Sequence, residues 1–170
     1  TFSSGRTSLW RMDSPIRELN EPVSMPPTPN EQSRCGTVPF GEKGRVEWDI
    51  HGLSVVDACY KTQTRFEGHS LIPRGALALP HKGFVVSWAF YDAIHVWSAR
   101  NGEKIVAFCE HRDDVGGVLE LPDGRLVSWS KDGCVWVWSI EGQTPPELAC
   151  HPVVASGSAV LLTDGKLVLS

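Results

Sequence analysis

Residues 118–140 read VLELPDGRLVSWSKDGCVWVWSI and contain two short apolar alternations that tight turns delimit. An Asp-Gly turn at residues 123–124 precedes the first alternation, and a second at residues 132–133 separates it from the next. Asp-Gly between apolar alternations favours a hairpin, because glycine adopts a positive φ without steric cost. Two turns so close together leave no room for a helix. The stretch therefore predicts a β-meander.

The same pattern recurs along the chain with a period of about 40 residues. A glycine opens the second strand of each unit, at Gly44, Gly83, Gly124 and Gly165. Two further markers are a histidine before a unit (His69, His111, His151) and a tryptophan that ends the third strand (Trp97, Trp138). The third repeat predicts strands at 117–121, 125–130, 135–140 and 147–150, and the second at 76–79, 84–89, 94–98 and 105–109. The first repeat is more degenerate but retains strands at 45–50 and 54–58.

The fourth unit stops at residue 170, where its second strand should be ending. Residues 162–170 followed directly by residues 1–11 read LTDGKLVLSTFSSGRTSLWR. Apart from one extra residue, this text aligns with LPDGRLVSWSKDGCVWVWS and places Trp10 in the slot of Trp138. We therefore expect the N-terminus to supply the third strand, and a fourth near residues 15–19, of the sheet that the C-terminus begins.

These observations predict one domain over residues 1–170. Its parts are strands that complete the last sheet (1–19), a proline-rich inserted loop (20–34), three full units (35–67, 68–109, 110–150) and the first half of a fourth (151–170). Four prolines between residues 22 and 29 favour an extended surface loop, although a polyproline II peptide segment is an alternative interpretation.

A period of about 40 residues with four strands and a terminal tryptophan resembles the WD-repeat family. The resemblance covers residues 35–170 and 1–11, with departures: Trp97-Ser98 and Trp138-Ser139 stand where the family has Trp-Asp, and Gly-His occurs only at Gly68-His69. It implies an all-β fold, a β-propeller of four-stranded antiparallel blades. Each chain would hold four blade-equivalents, the last completed by N-terminal strands of its own chain or of a second copy.

The resemblance also implies a buried hydrogen-bonded tetrad of histidine, serine, aspartate and tryptophan in each blade. In the third blade its members would be His111, Ser128 or Ser130, Asp132 and Trp138. In the second they would be His69, Ser87 and Trp97, with Asp92 one residue out of register. These roles are structural, because the groups recur once per blade and no nucleophile motif accompanies them.

Three ways of closing the ring fit the sequence. The chain could close on itself as a four-bladed ring, two chains could share an eight-bladed ring, or the chain could be a fragment of a longer repeat protein. We favour the two-chain ring, because a smaller rotation of about 45° between blades is nearer to the geometry of larger propellers. Exchange of strands between identical chains is also a low-cost route to a dimer.

The resemblance places ligands on the face built from the loops between blades and from the turns between second and third strands. Candidate partner-binding residues on that face are Phe90, Tyr91, Arg112, Asp113 and Lys131. Exposed aromatic residues beside charged ones are typical of binding hot spots. The expected function is a non-catalytic protein-interaction scaffold. The alternative is a propeller that binds a small ligand or a glycan in its channel or between blades.

Composition and the absence of known motifs narrow the possible partners, cofactors and cellular location. A net charge of −4 argues against a nucleic-acid partner, and no apolar run is long enough to cross a membrane. The sequence contains no phosphate-binding loop and no metal motif, so we expect neither a cofactor nor a metal. Five cysteines without a CxxC pair favour free thiols in a reducing compartment, and we expect a cytoplasmic protein.

Overall fold

The structure is a computed structural model, and it describes residues 8–11, 35–42, 44–59, 61–141, 146–150, 159–161 and 166–169. The proline-rich loop predicted at 20–34, the strand predicted near 15–19 and the marker His151 lie outside the described residues. In the described part the chain forms antiparallel strands, and no helix there is long and apolar enough to span a bilayer.

The strands assemble into four sheets. Their bounds are β1 Ser8–Arg11, β2 Gly36–Phe40, β3 Gly44–Asp49, β4 Gly52–Val56, β5 Thr62–Phe66, β6 Pro73–Leu79, β7 Phe84–Ala89, β8 Ile94–Ser98, β9 Lys104–Phe108, β10 Val115–Glu120, β11 Leu126–Ser130, β12 Val135–Trp138, β13 Glu147–Cys150, β14 Ala159–Leu161 and β15 Lys166–Leu169. Blade 1 is β2–β5, blade 2 is β6–β9 and blade 3 is β10–β13, each with its strands in sequence order. The fourth sheet, called here the composite blade, has the order β1-β15-β14.

The composite blade confirms that both ends of the chain contribute to one sheet. Strand β1 pairs antiparallel with β15, and Trp10 lies opposite Leu167. In blade 3, Trp138 lies opposite Leu126 in the same way. The N-terminal strand therefore occupies the third position of the sheet, as the alignment of the two chain ends predicts.

The innermost strands begin earlier than the sequence predicts, at Pro73 instead of residue 76 and at Val115 instead of residue 117. A register shift lies between Pro73 and Gly75 in blade 2, and another between Val115 and Gly117 in blade 3. Such a bulge leaves one residue unpaired and lets the strand continue past it. The bulged residue in blade 2 is Arg74, and its guanidinium lies 3.5 Å from the carboxylate of Asp114, in the loop before blade 3.

A tryptophan on the second strand lies opposite a glycine on the first strand in every full blade. The pairs are Gly36 with Trp48, Gly75 with Trp88 and Gly117 with Trp129. A Cβ atom at Gly75 would lie 2.4 Å from Cζ2 of Trp88, and the other two pairs are equally close. The indole therefore occupies the space that a side chain on the inner strand would need.

The core consists of layers between blades. Val46 and Trp48 of blade 1 pack with Val85 and Trp97 of blade 2 in one cluster. On the other face of blade 2, Trp88 and Val96 belong to a second cluster that contains Leu126 and Trp138 of blade 3. The central strands of blade 2 alternate between these two layers, so blade 2 is held by apolar burial on both faces.

Candidate interaction surface

The predicted tetrad of blade 3 is assembled within hydrogen-bond distance. The indole Nε1–H of Trp138 donates to Ser128 Oγ at 2.7 Å, and the same Oγ lies 2.7 Å from His111 Nε2. On the other side of the ring, His111 Nδ1 lies 3.1 Å from Asp132 Oδ2. The structure selects Ser128 from the two candidate serines, because Ser130 Oγ donates instead to the carbonyl of Asp113.

The order of hydrogen-bond donors along the network determines which ring nitrogen of His111 carries the proton. An indole can only donate, so the hydroxyl hydrogen of Ser128 is left for His111 Nε2, and the ring proton lies on Nδ1, facing Asp132. Burial lowers the pKa of His111 despite the neighbouring carboxylate. Burial alone would raise the pKa of Asp132, but hydrogen bonds from the backbone N–H groups of Arg112 and Cys134 and from His111 lower it overall. The network is thus satisfied by a neutral imidazole and an ionised carboxylate.

Blade 2 contains the same network, including the aspartate that the sequence places out of register. Trp97 Nε1 donates to Ser87 Oγ at 2.7 Å, and that oxygen lies 2.6 Å from His69 Nε2. His69 Nδ1 lies 3.0 Å from Asp92 Oδ2. The extra residue between Ser87 and Asp92 is accommodated in the turn, where Tyr91 has a φ of 49°. The mismatch of one residue is therefore absorbed locally, and the network is kept.

Asp92 holds two connecting segments together. Its Oδ2 accepts hydrogen bonds from the backbone N–H and the hydroxyl of Ser70, at 2.9 and 3.1 Å, in the loop between blades 1 and 2. Its Oδ1 accepts from the N–H of Ala93 within the β7–β8 turn. Burial opposes ionisation, but the hydrogen bonds from Ser70, His69 and Ala93 lower the pKa of Asp92 to about 2. The carboxylate therefore stays ionised and fastens the loop to the turn at neutral pH.

Blade 1 has other residues at the tetrad positions. Glu47, which lies opposite Ser54, occupies the position that Ser87 has in blade 2 opposite His95. Val56 occupies the position of Trp97. Arg45, on the same face, forms an ion pair with Glu47. The serine–tryptophan pair is thus replaced by charged and aliphatic side chains in this blade.

His95 is a residue that the sequence analysis did not single out. It lies on β8, at the position that Trp136 occupies in blade 3. Its ring stacks on that of His69, with the ring centroids 4.3 Å apart and an angle of 8° between the ring planes. His95 is 4% exposed, and its Nδ1 has no hydrogen-bond partner. Burial, followed by the neighbouring His69, lowers the pKa of His95 to about 4.

His69, Asp92 and His95 bring three ligand-type atoms within 4.8 Å of one another. The lone pair of an imidazole nitrogen lies in the ring plane, so two stacked parallel rings cannot both direct one at the same ion. Both nitrogens of His69 are also engaged by Ser87 and Asp92. This arrangement fits a packed structural cluster and does not fit a metal centre.

Apolar side chains are exposed on the turns above the two networks. Tyr91 is 78% exposed, Phe90 40% and, in the neighbouring loop, Leu71 51%. The guanidinium of Arg74 lies 4.6 Å from the centre of the Phe90 ring. A positive φ is a genuine outlier for a bulky residue, so the conformation of Tyr91 costs free energy that the anchored turn around it must supply.

An ionic cluster joins the same face of blades 2 and 3. Asp114, 6% exposed, lies 3.5 Å from Arg74 and 3.3 Å from Lys131 through the same carboxylate oxygen. The backbone N–H of Lys131 also donates to the carbonyl of Asp114. Neither Arg74 nor Asp114 is among the candidate partner-binding residues predicted from the sequence, because their contact joins two blades and exists only in the folded structure.

The chain is similar to known proteins over part of its length. No family model matches the sequence. The mouse apoptotic protease-activating factor 1 is 36% identical over 61 residues, which is 35% of this chain and 5% of that protein. The computationally designed proteins Ika8 and Ika4 are each 26% identical, with TM-scores of 0.55 and 0.53. They match 62% and 59% of this chain, and 33% and 62% of their own.

The WD40 β-propeller domain of Doa1 superposes on 80% of this chain with a TM-score of 0.66 and 19% identity. The fold is that of a WD40-like β-propeller. The chain spans 49% of the Doa1 domain, so it corresponds to about half of that structure. In propeller terms, the networks of blades 2 and 3 link the loop before each innermost strand to the turn after the second strand.

The candidate partner-binding residues all lie on these loops and turns of the propeller. Phe90 and Tyr91 are exposed, and Arg112 is exposed while its backbone N–H donates to Asp132. Asp113 is half-buried and accepts the N–H of Asp114, whereas Lys131 is bound to Asp114. The structure therefore brings an aromatic group from blade 2 and a charged group from blade 3 onto one face, called here the turn face.

Proposed function

We propose that this protein is a non-catalytic protein-interaction scaffold that binds its partner on the turn face. The observation that carries the proposal is Tyr91, a large aromatic residue that is 78% exposed and held at a positive φ. Strained conformations persist where the surrounding structure maintains them, and they cluster at functional sites. Tyrosine is also one of the residues that are enriched at the energetic hot spots of protein interfaces.

The buried networks support a structural role for the residues that resemble a catalytic triad. Ser87 and Ser128 are both 0% exposed. Each hydroxyl oxygen already accepts a hydrogen bond from a tryptophan indole. A nucleophile needs an accessible oxygen, so these serines are poorly placed to attack a substrate. This geometry favours a binding module over a hydrolase.

Replacing Tyr91 with asparagine should separate stability from binding. Asparagine tolerates a positive φ better than tyrosine, so the free energy of unfolding should rise by up to about 1 kcal/mol. Affinity for a turn-face partner should fall by about ten-fold or more, because the aromatic anchor is lost. Peptides that bind the wild-type chain can be selected from a random library displayed on phage. Calorimetry then measures their affinities for the wild-type protein and for Tyr91→Asn.

Ile105 on β9 provides the matched control, since it is 45% exposed but lies on an outer strand. Ile105→Asn should leave peptide affinity unchanged. Equal affinity of the selected peptides for wild-type protein and Tyr91→Asn would contradict the proposal. Enrichment of glycans over peptides on an array, with Tyr91→Asn without effect, would favour the small-ligand alternative.

We further propose that two copies of the chain complete an eight-bladed ring. The chain matches 49% of the Doa1 propeller domain, a share that fits half a ring. The pairing of β1 with β15 can form equally between two copies, because exchange of an identical strand preserves every contact. Sedimentation equilibrium should give a mass about twice the chain mass of 18.7 kDa. The mass of a single chain at all concentrations would instead support closure as a four-bladed ring.

A further inference from the structure

The stacked histidines of blade 2 are accommodated only as neutral rings. His69 accepts the hydroxyl hydrogen of Ser87 on Nε2 and uses its Nδ1 proton for Asp92. A second ring proton on His69 would leave the buried Ser87 hydroxyl hydrogen without an acceptor. His95 is more constrained, because its Nδ1 has no partner and its Nε2 lies 3.9 Å from Asp92 Oδ1.

Charges around the pair do not compensate for a proton on His95. Asp92, on the turn, favours the charged form of both rings. Lys104, on the adjacent strand β9, disfavours the charged form of both rings, and a positive His69 also disfavours the charged form of His95. Burial is the largest of these effects for both histidines, and it too favours the neutral state.

The pair is covered by the segment that Asp92 fastens. His69 belongs to the loop at residues 67–72, which also carries the exposed Leu71 and donates to Asp92 through Ser70. If this loop lifted, water would reach His95, and the contacts of Asp92 with His69 and Ser70 would break. The turn with Phe90 and Tyr91 would then lose these contacts, and the strained φ of Tyr91 could relax.

We propose that the loop at residues 67–72 is an acid-released clasp, closed over the His69–His95 stack at neutral pH and lifted by protonation as the pH falls. The proposal concerns regulation of the turn face and rests on the interaction function proposed above for its biological consequence. Blade 3 is the built-in reference, because it has the same tetrad but Trp136 in place of His95.

The direction of the effect follows from linkage. The pKa of His95 is lowered from 6.5 to about 4 in the closed state, so the lifted state binds more protons between these values. The closed state is therefore fully favoured above pH 6.5 and loses stability as the pH falls toward 4. A single such group raises the lifted population by about ten-fold per pH unit. His69 acts in the same direction, whereas Asp92, with a pKa of about 2, titrates below this window.

Amide hydrogen exchange of the whole chain, followed by nuclear magnetic resonance from about pH 7.5 to about pH 4.5, tests the proposal. The N–H of Ser70 donates to Asp92 as the N–H of Arg112 donates to Asp132, so the two amides are matched probes. After correction for intrinsic rates, protection of Ser70 should fall more steeply than that of Arg112, by about ten-fold per pH unit below 6.5.

Two substitutions sharpen the test. His95→Phe keeps a stacked ring without a proton site, and protection of Ser70 should then fall no faster than that of Arg112. Trp136→His installs the second histidine in blade 3 and should make the protection of Arg112 fall as steeply with acid as that of Ser70. Parallel loss at both amides in the wild-type chain, or an equally steep loss at Ser70 in His95→Phe, would overturn the clasp. Because exchange needs no partner, its failure is distinguishable from a failure of the Tyr91→Asn binding test.

Discussion

Replacing Gly75 with valine is expected to lower the free energy of unfolding by about 3 kcal/mol. A Cβ atom at this position would lie 2.4 Å from Cζ2 and 2.7 Å from Cε2 of Trp88. Trp88 is 8% exposed and packs in the layer between blades 2 and 3, so its ring has little room to move. Close-packed interiors respond to added volume by strained rotamers and backbone shifts.

A double-mutant cycle with Trp88→Leu isolates this contact. The smaller leucine leaves space beside Gly75, so Gly75→Val should cost much less in the Trp88→Leu background than in the wild-type chain. Chemical denaturation, monitored by circular dichroism, gives the free energy of unfolding of all four proteins. An equal cost in both backgrounds would show that the glycine is required for another reason, such as backbone conformation.

Replacing Trp138 with alanine is expected to cost about 3 to 5 kcal/mol, the range of large core aromatic truncations. Trp138 is 1% exposed and stacks on Phe108 with ring centroids 4.5 Å apart. The substitution also removes the indole donor of Ser128. Since the free energy of unfolding of a domain is about 5 to 15 kcal/mol, the variant should be partly unfolded at temperatures well below the midpoint of thermal unfolding of the wild-type chain.

Two further substitutions separate packing from hydrogen bonding at this position. Trp138→Phe retains most of the apolar contact but removes the Nε1–H, and it should cost about 1 to 2 kcal/mol more than packing alone predicts. Trp136→Ala, two residues earlier on the same strand, removes a tryptophan that is only half-buried and should cost less than Trp138→Ala. Equal losses for the two alanine variants would contradict a central role for the tetrad tryptophan.

Several features of the site were accessible to sequence reasoning because they repeat. His111, Ser128, Asp132 and Trp138 recur at nearly the same spacing as their counterparts in blade 2, and the structure places each set within hydrogen-bond distance. The Asp-Gly turns predicted positive φ at their glycines, and Gly124 and Gly133 have φ values of 87° and 78°. Repetition identifies such positions even where single residues depart from the family pattern.

Other features depend on geometry that no spacing encodes. Ser128 and Ser130 face the same side of their strand, and only the position of His111 in the folded loop selects one of them. Asp92 reaches His69 because one turn residue adopts an unusual φ, which a count of residues cannot reveal. The ring of His95 stacks on that of His69, a residue of the loop between blades 1 and 2 that comes close to His95 only in the folded chain.

The sequence by itself determined the period, the strand alternation and the joining of the two chain ends. The first two follow from local hydrophobic pattern and turn chemistry, and the third follows because the two chain ends together spell one copy of the repeat. The tertiary structure alone decided the inter-blade contact of Arg74 with Asp114, the Gly75–Trp88 packing distance and the His69–His95 stack. These contacts join residues from different strands or blades, so their geometry is set by sheet register, bulges and blade packing rather than by neighbours along the chain.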